Sequence, residues 1–292
     1  LISSRLKIML SQSSSALPSS VQMPPLTTIL AIALITMLLC ASASAEPYRQ
    51  AGQIYVAWGW NNADYTDSDI HFTGDDHNFT LYDVEANDRQ SPIEGGGLFK
   101  TFLNPASITI PQTNAQIGYF VTDNIAVALV LDHMKYVMAQ DQVVTIDNNT
   151  PNNMIDGQIN NGKVTLIKDF LQYEHTDGLN YIAIEGAYYH SFWQPTHGID
   201  FSFVAGGGAG VLYPKTNVTL LDRNKNDDFY ISGYGYDVKA GIEISFFKNF
   251  FFRYMMKQGH INMPDVVTSS GDDEADQEFD FTEYYGLFGY RF

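Results

Sequence analysis

The sequence has a single cysteine, Cys40, in 292 residues, so no intrachain disulfide can form and no set of thiolates is available to hold zinc or iron. It is also poor in cations, with 16 Lys and Arg against 33 Asp and Glu and a formal net charge of −17. Affinity for a polyphosphate backbone comes from clustered Lys and Arg, so nucleic acid is excluded as a partner. After residue 45 no apolar run approaches the roughly 18 residues of a membrane helix. A phosphate loop, a dinucleotide fingerprint and a paired metal-histidine motif are missing as well.

The first 45 residues differ from the rest and contain no acid. Arg5 and Lys7 make a basic start, Leu26 to Cys40 is apolar, and Ala43-Ser44-Ala45 precedes Glu46-Pro47. This order predicts a secretory signal peptide over 1–45, cleaved after Ala45, followed by one domain over 46–292. An inner-membrane anchor is the alternative, but a run of about 15 residues falls short of the roughly 20 that span as a helix. Met37-Leu38-Leu39 precede Cys40 where a lipoprotein site needs a small residue. Cleavage removes two cations and leaves 14 against 33 acids, a net charge of −19, with no cysteine.

Beyond residue 45 the sequence alternates. Stretches of about ten residues, rich in Tyr, Phe, Val and Ile, put apolar side chains on one face and small or polar ones on the other. In Gly52 to Asn61, Ile54, Val56, Trp58 and Trp60 oppose Tyr55, Ala57, Gly59 and Asn61, a period of two that a helix does not show. Seven further strands are predicted at 109–121, 125–137, 179–192, 199–213, 229–247, 250–258 and 280–292. On the third, Asp132, Met134 and Tyr136 are assigned to the inner face. Gly206, Gly208 and Gly210 of the fifth leave room for long side chains from other strands.

Connections alternate in length: long at 62–108, 141–178, 222–228 and 263–278, short near 122, 194 and 248. Long external loops and short periplasmic turns are the habit of transmembrane barrels, with both termini in the periplasm. The expected fold is all-β, an eight-stranded antiparallel transmembrane β-barrel. An extended extracellular hairpin is expected from the segments flanking Gly74-Asp75-Asp76-His77-Asn78.

A soluble sandwich could alternate in the same way. The placement of charge argues for the barrel: Glu185, Asp237, Lys239, Glu243, Arg253, Lys257, Glu283 and Arg291 all fall on the face opposite the apolar one, four acids with four bases. That pattern fits a lumen of paired charges behind a lipid-facing wall. Eight strands enclose a space that side chains just fill. The network is therefore expected to plug the lumen, with Arg253 and Glu243 at its centre.

Tyr284, Phe288, Tyr290 and the C-terminal Phe292 resemble the terminal signature of bacterial outer-membrane barrels, in which a final aromatic residue is read by the barrel-assembly machinery. With the signal peptide and the strand count, the chain is similar to the small OmpA-like and OmpW-like barrels. Phe79 to Val84, Asp132 to Tyr136 and Glu174 to Gly178 look like segments of uncharacterised outer-membrane proteins. The resemblance implies location in the cell outer membrane and Tyr290 and Phe292 as the assembly signal. It implies outer-membrane lipid, lipopolysaccharide and the assembly machinery as partners, and it transfers no ligand or catalytic residue.

The chemistry-bearing residues are few. His190-Ser191 are strand neighbours that point to opposite faces, so they cannot act as base and nucleophile together. Asp132, His133, His175 and Asp177 lie at the outer rim, where hydrogen bonding is the ordinary role. Asp222, Asn224, Asn226 and Asp228 place oxygens at alternate positions, as a calcium loop does, without its glycine or terminal glutamate. Calcium or magnesium at these acidic external loops is a candidate; no other cofactor is expected. Three functions stay open: a structural or surface-interaction barrel with an unidentified extracellular ligand, a narrow conduit for small hydrophobic molecules, and an outer-leaflet lipid A-modifying enzyme. The first is preferred, and no enzyme activity is expected.

Overall fold

A computed structural model describes residues 48–90, 97, 111–151, 155–221, 228–269 and 273–292. Among them the chain forms strands β1 Ile54–Tyr65, β2 Ser68–Thr73, β3 Asn78–Val84, β4 Ala86–Asn87 and β5 Thr113–Phe120. After these come β6 Ile125–Met138, β7 Val143–Asn148, β8 Ile159–Asn160, β9 Lys163–Thr165 and β10 Leu171–Thr196. The last five are β11 Ile199–Leu212, β12 Asn217–Leu220, β13 Gly233–Phe246, β14 Phe250–Val267 and β15 Glu274–Arg291.

Eight of them make a ring in the order β1-β5-β6-β10-β11-β13-β14-β15, each pair antiparallel. The ring shuts because β15 pairs back on β1, from Tyr55↔Arg291 to Tyr65↔Phe281. Closure leaves no unpaired strand edge within the wall, which is what a β-structure in lipid requires.

Alternation decides which side chains face where. Ile184 is 66 % exposed while its neighbour Glu185 is 1 % exposed, the reverse of a water-soluble surface. Ile54, Val56, Ile117, Val127, Leu129 and Phe288 are likewise exposed on the outer wall. Apolar area left in water costs roughly 25 cal/mol per Å², a penalty that vanishes against lipid tails. The ring is therefore a membrane-spanning barrel. Aromatic side chains cluster at its periplasmic end, with Trp193 and Phe201 4.7 Å apart, Phe250 and Tyr290 4.9 Å and Tyr290 and Phe292 5.1 Å.

Inner glycines sit where large rings need space. A Cβ on Gly118 would overlap Tyr55, and one on Gly289 would overlap Phe251. The short turns are 121–124, where Thr122 Oγ1 accepts from the Asn124 and Ile125 amides at 3.2 and 3.0 Å, then His197-Gly198, then Phe247 to Asn249. The last corrects the two-residue turn expected at Lys248-Asn249. Phe247 and Lys248 both have positive φ, 51° and 70°, so the chain reverses one residue earlier.

Beyond the bilayer the strands run on further than the sequence pattern predicts. β10 starts at Leu171 and not Leu179, β14 continues to Val267, and β15 begins at Glu274. At the other margin β13 starts at Gly233, short of the expected Phe229. The hairpin β2–β3 is present, and it belongs to a larger sheet: β2, β3, β7, β9 and β8 succeed one another outward from the end of β15. β12 adds to β10 and β4 to β6. This collar has its own core, a contiguous apolar cluster reaching from Tyr181, Ala183 and Phe281 up to Phe72, Phe79 and Phe170. Phe72 and Phe79 stack at 5.1 Å, and Tyr136 packs on Phe279 at 4.9 Å.

Candidate functional site

The buried charges form two groups inside the barrel. Nearer the periplasm, Glu243 and Arg253 are register partners on β13 and β14. Glu243 Oε2 accepts from Arg253 Nη2 at 2.8 Å and from Nε at 3.2 Å, so one oxygen takes two charge-assisted hydrogen bonds from the guanidinium. Its other oxygen pairs with Arg291 and, at 3.1 Å, with Arg49. Arg49 also reaches Asp200 at 3.4 Å, and Arg291 Nη1 donates to Ser245 Oγ at 3.1 Å. The Arg253 guanidinium lies 5.2 Å from the Tyr55 and Tyr189 ring centres and 4.9 Å from that of Phe251. Ring faces and Gln116 Oε1, 3.0 Å from Nη1, thus surround the part of the cation that Glu243 leaves uncovered.

The second group lies further in. Lys239 and Lys257 face each other in register, an arrangement of like charges that would repel. Glu185 resolves it by pairing with both, at 2.7 Å in the case of Lys257. To do so it reaches from β10 across β11 to β13, and the register places Gly208 and Gly206 in its way. A Cβ at Gly208 would stand 2.7 Å from Glu185 Cγ. The glycine run of β11 is the gap through which this ion pair passes. Lys257 also pairs with Asp132, which Asn114 supports, and lies 3.7 Å from Glu283, to which Asn61 donates at 2.6 Å. Tyr181 donates to Asp237 at 3.0 Å.

The eight charges singled out in the sequence are thus all buried on the inner face. They do not sort into four pairs. Three guanidiniums share Glu243 and Asp200, whereas four carboxyls surround two ammoniums. The eight by themselves already split unevenly, two guanidiniums on Glu243 and two ammoniums among three carboxyls, and Arg49, Asp132 and Asp200 join the network from outside the set of eight. Asp132 and Asp200 had the signal, inward alternation on β6 and β11. Arg49 had none, because it precedes the first strand.

The remaining sequence candidates go separate ways. Asp132 turns to Lys257, His133 Nδ1 lies 2.8 Å from Asn180 Oδ1, His175 Nδ1 lies 2.9 Å from Thr216 Oγ1, and Asp177 pairs with Lys215 at 3.3 Å. Ser191 donates to Asp200, and His190 is half-buried on the other face. These six side chains meet at no common point. Burial in the collar core holds the His175 ring neutral, its pKa lowered to about 3. Asp222, Asn224 and Asn226 lie outside the described residues; Asp228 is exposed beside them. Phe292 is exposed at the barrel end, and Tyr290 is half-buried between Phe250 and Phe292.

No protein-family model matches the chain, and no curated protein is significantly similar to it. Among solved structures, the outer membrane protein OprG from Pseudomonas aeruginosa matches with 12 % identity over 84 % of this chain and 97 % of its own, at a TM-score of 0.43. The N-terminal β-barrel domain of OprF from the same organism matches at 13 % identity over 84 % and 100 %, TM-score 0.31. The outer membrane protease OmpT from Escherichia coli matches at 10 % over 86 % and 99 %, TM-score 0.35. At these scores the matches add nothing to the architecture already read from the strand pairings.

Proposed function

We propose that this is an outer-membrane β-barrel protein whose transmembrane part is a closed scaffold and whose external collar carries a structural or surface-interaction role. One observation carries this reading: the lumen is filled by ion-paired side chains and continues directly into the apolar core of the collar. An ion crossing it would have to separate buried pairs, at a cost of several kcal/mol for each, and then displace packed rings. Outer-membrane lipid and lipopolysaccharide surround the exposed apolar wall in this reading. The assembly machinery reads Tyr290 and Phe292, and an extracellular ligand meets the collar.

The test is conductance of purified protein in planar bilayers. The expected result is no steady current over the membrane alone. A steady current that persists under moderate voltage would overturn the closed scaffold and put the narrow conduit in its place.

A further inference from the structure

The residues ahead of β1 do not trail away from the barrel. Tyr48 and Arg49 are 9 % and 3 % exposed although neither belongs to a strand. The segment is fastened along its length: the Gly52 amide donates to the Phe120 carbonyl at 2.8 Å, the Ala51 amide to Asp123 at 2.8 Å, and the Gly198 amide to the Tyr48 hydroxyl at 2.7 Å. Gly198 lies in the β10–β11 turn, and β10 stands three places from β1 in the ring of eight. Tyr48 to Gly52 is therefore a strap laid across the periplasmic mouth.

Arg49 points from that strap into the lumen. Its guanidinium meets Glu243 at 3.1 Å and Asp200 at 3.4 Å, with the Tyr189 ring centre 5.3 Å away. Glu243, Asp200 and Tyr189 are all fully buried and all contributed by the barrel wall. Two fixed carboxylates and an aromatic face make a recognition site for a planar cation. Asp200 is held for the purpose by Ser202 Oγ, 2.5 Å away, and by Gln194 Nε2 at 3.1 Å. Arg253 and Arg291 already occupy Glu243 from β14 and β15, so the fold of the wall does not depend on Arg49 to neutralise it.

We propose that the periplasmic end of the lumen is a guanidinium-binding site filled in cis by Arg49, so that the strap is a displaceable closure and not a fixed part of the wall. Displacement opens the site to a guanidinium group from the periplasm. The barrel above stays shut, because Arg253 keeps its own bonds to Glu243 and Gln116 when Arg49 leaves, and the collar core contains no residue of the strap. The proposal rests on the closed-lumen reading, and the two fail separately: wild-type conductance tests the closed lumen, whereas thiol labelling reads only the mouth.

The reporter is Val204→Cys in a Cys40→Ser background, a unique thiol on the inner face of β11 in register with Tyr189 and with no exposure in the parent chain. Purified full-chain protein in detergent is treated with a small charged thiol reagent. Labelling is expected to be slow with Arg49 present and severalfold faster in Arg49→Ala. Millimolar guanidinium chloride should return the Arg49→Ala rate toward the parent rate, whereas sodium chloride at equal ionic strength should not. Tyr48→Phe, which keeps Arg49 and loses the Gly198 contact, should label at an intermediate rate and shows the same mechanism if Arg49→Ala assembles poorly. Equal labelling in parent, Arg49→Ala and Tyr48→Phe overturns the strap. Faster labelling that sodium slows as well as guanidinium does overturns the site.

Discussion

Glu243 receives three guanidiniums, and its neighbours are not equally exposed to the loss of one member. Replacing Arg253 by Met leaves the carboxylate with Arg49 and Arg291. Replacing Glu243 by Gln leaves three cations with Asp200 as their nearby carboxylate. An unpaired buried charge costs about 3 to 5 kcal/mol, so Glu243→Gln is expected to lower the temperature of the heat-induced gel shift more than Arg253→Met. Asp276→Asn, on an exposed side chain of β15, should stay within about 0.5 kcal/mol of the parent. Finding all three alike would mean that the network contributes no stability. The sequence shows which face Glu243 and Arg253 occupy, since alternation is a local property. It does not show that Arg49 joins them, because that contact spans 194 residues and obeys no period. Nor does it show that Asp273, within the stretch 263–278 predicted as a long external connection, is buried and accepts from Ser269 at 2.8 Å.

β10 is the element in which the two environments meet. Its 26 residues carry Glu185 in the lumen and His175 in the collar, where Tyr173 packs edge-on to the imidazole at 5.1 Å. His175 titrates near 6.5 when exposed, and burial lowers this to about 3. Between these values the unfolded collar binds a proton that the folded one does not. Collar stability is therefore complete above about pH 6.5 and falls as the pH drops toward 3. Limited proteolysis at about pH 4.5 should cut the collar faster than at neutral pH while the barrel stays intact, and His175→Gln should remove most of the difference. A collar equally resistant at both pH values would contradict this. The collar was the least legible part of the sequence for a physical reason. Its strands keep an apolar inner face, but Asn62, Asp64, Asp276 and Glu278 on the outer face meet water, so their sequence reads as loop.

At the scale of the whole molecule, the alternation of long and short connections, the final aromatic strand and the eight repeats are enough to read the ring. Its closure by β1 on β15 pairs the first strand of the ring with the last. Collar and barrel also share their ladders: β14 and β15 pair without interruption from Phe250↔Tyr290 to Met263↔Gln277, then past one irregularity to Val267↔Glu274. The consequence is mechanical. A load applied along the barrel axis near Thr268 pulls on that ladder in shear, with many hydrogen bonds carrying it side by side. A load applied at Asn161, beyond the last small strands of the collar, peels β8 and β9 away one bond at a time. In single-molecule pulling the first handle should meet a high rupture force and the second a low one.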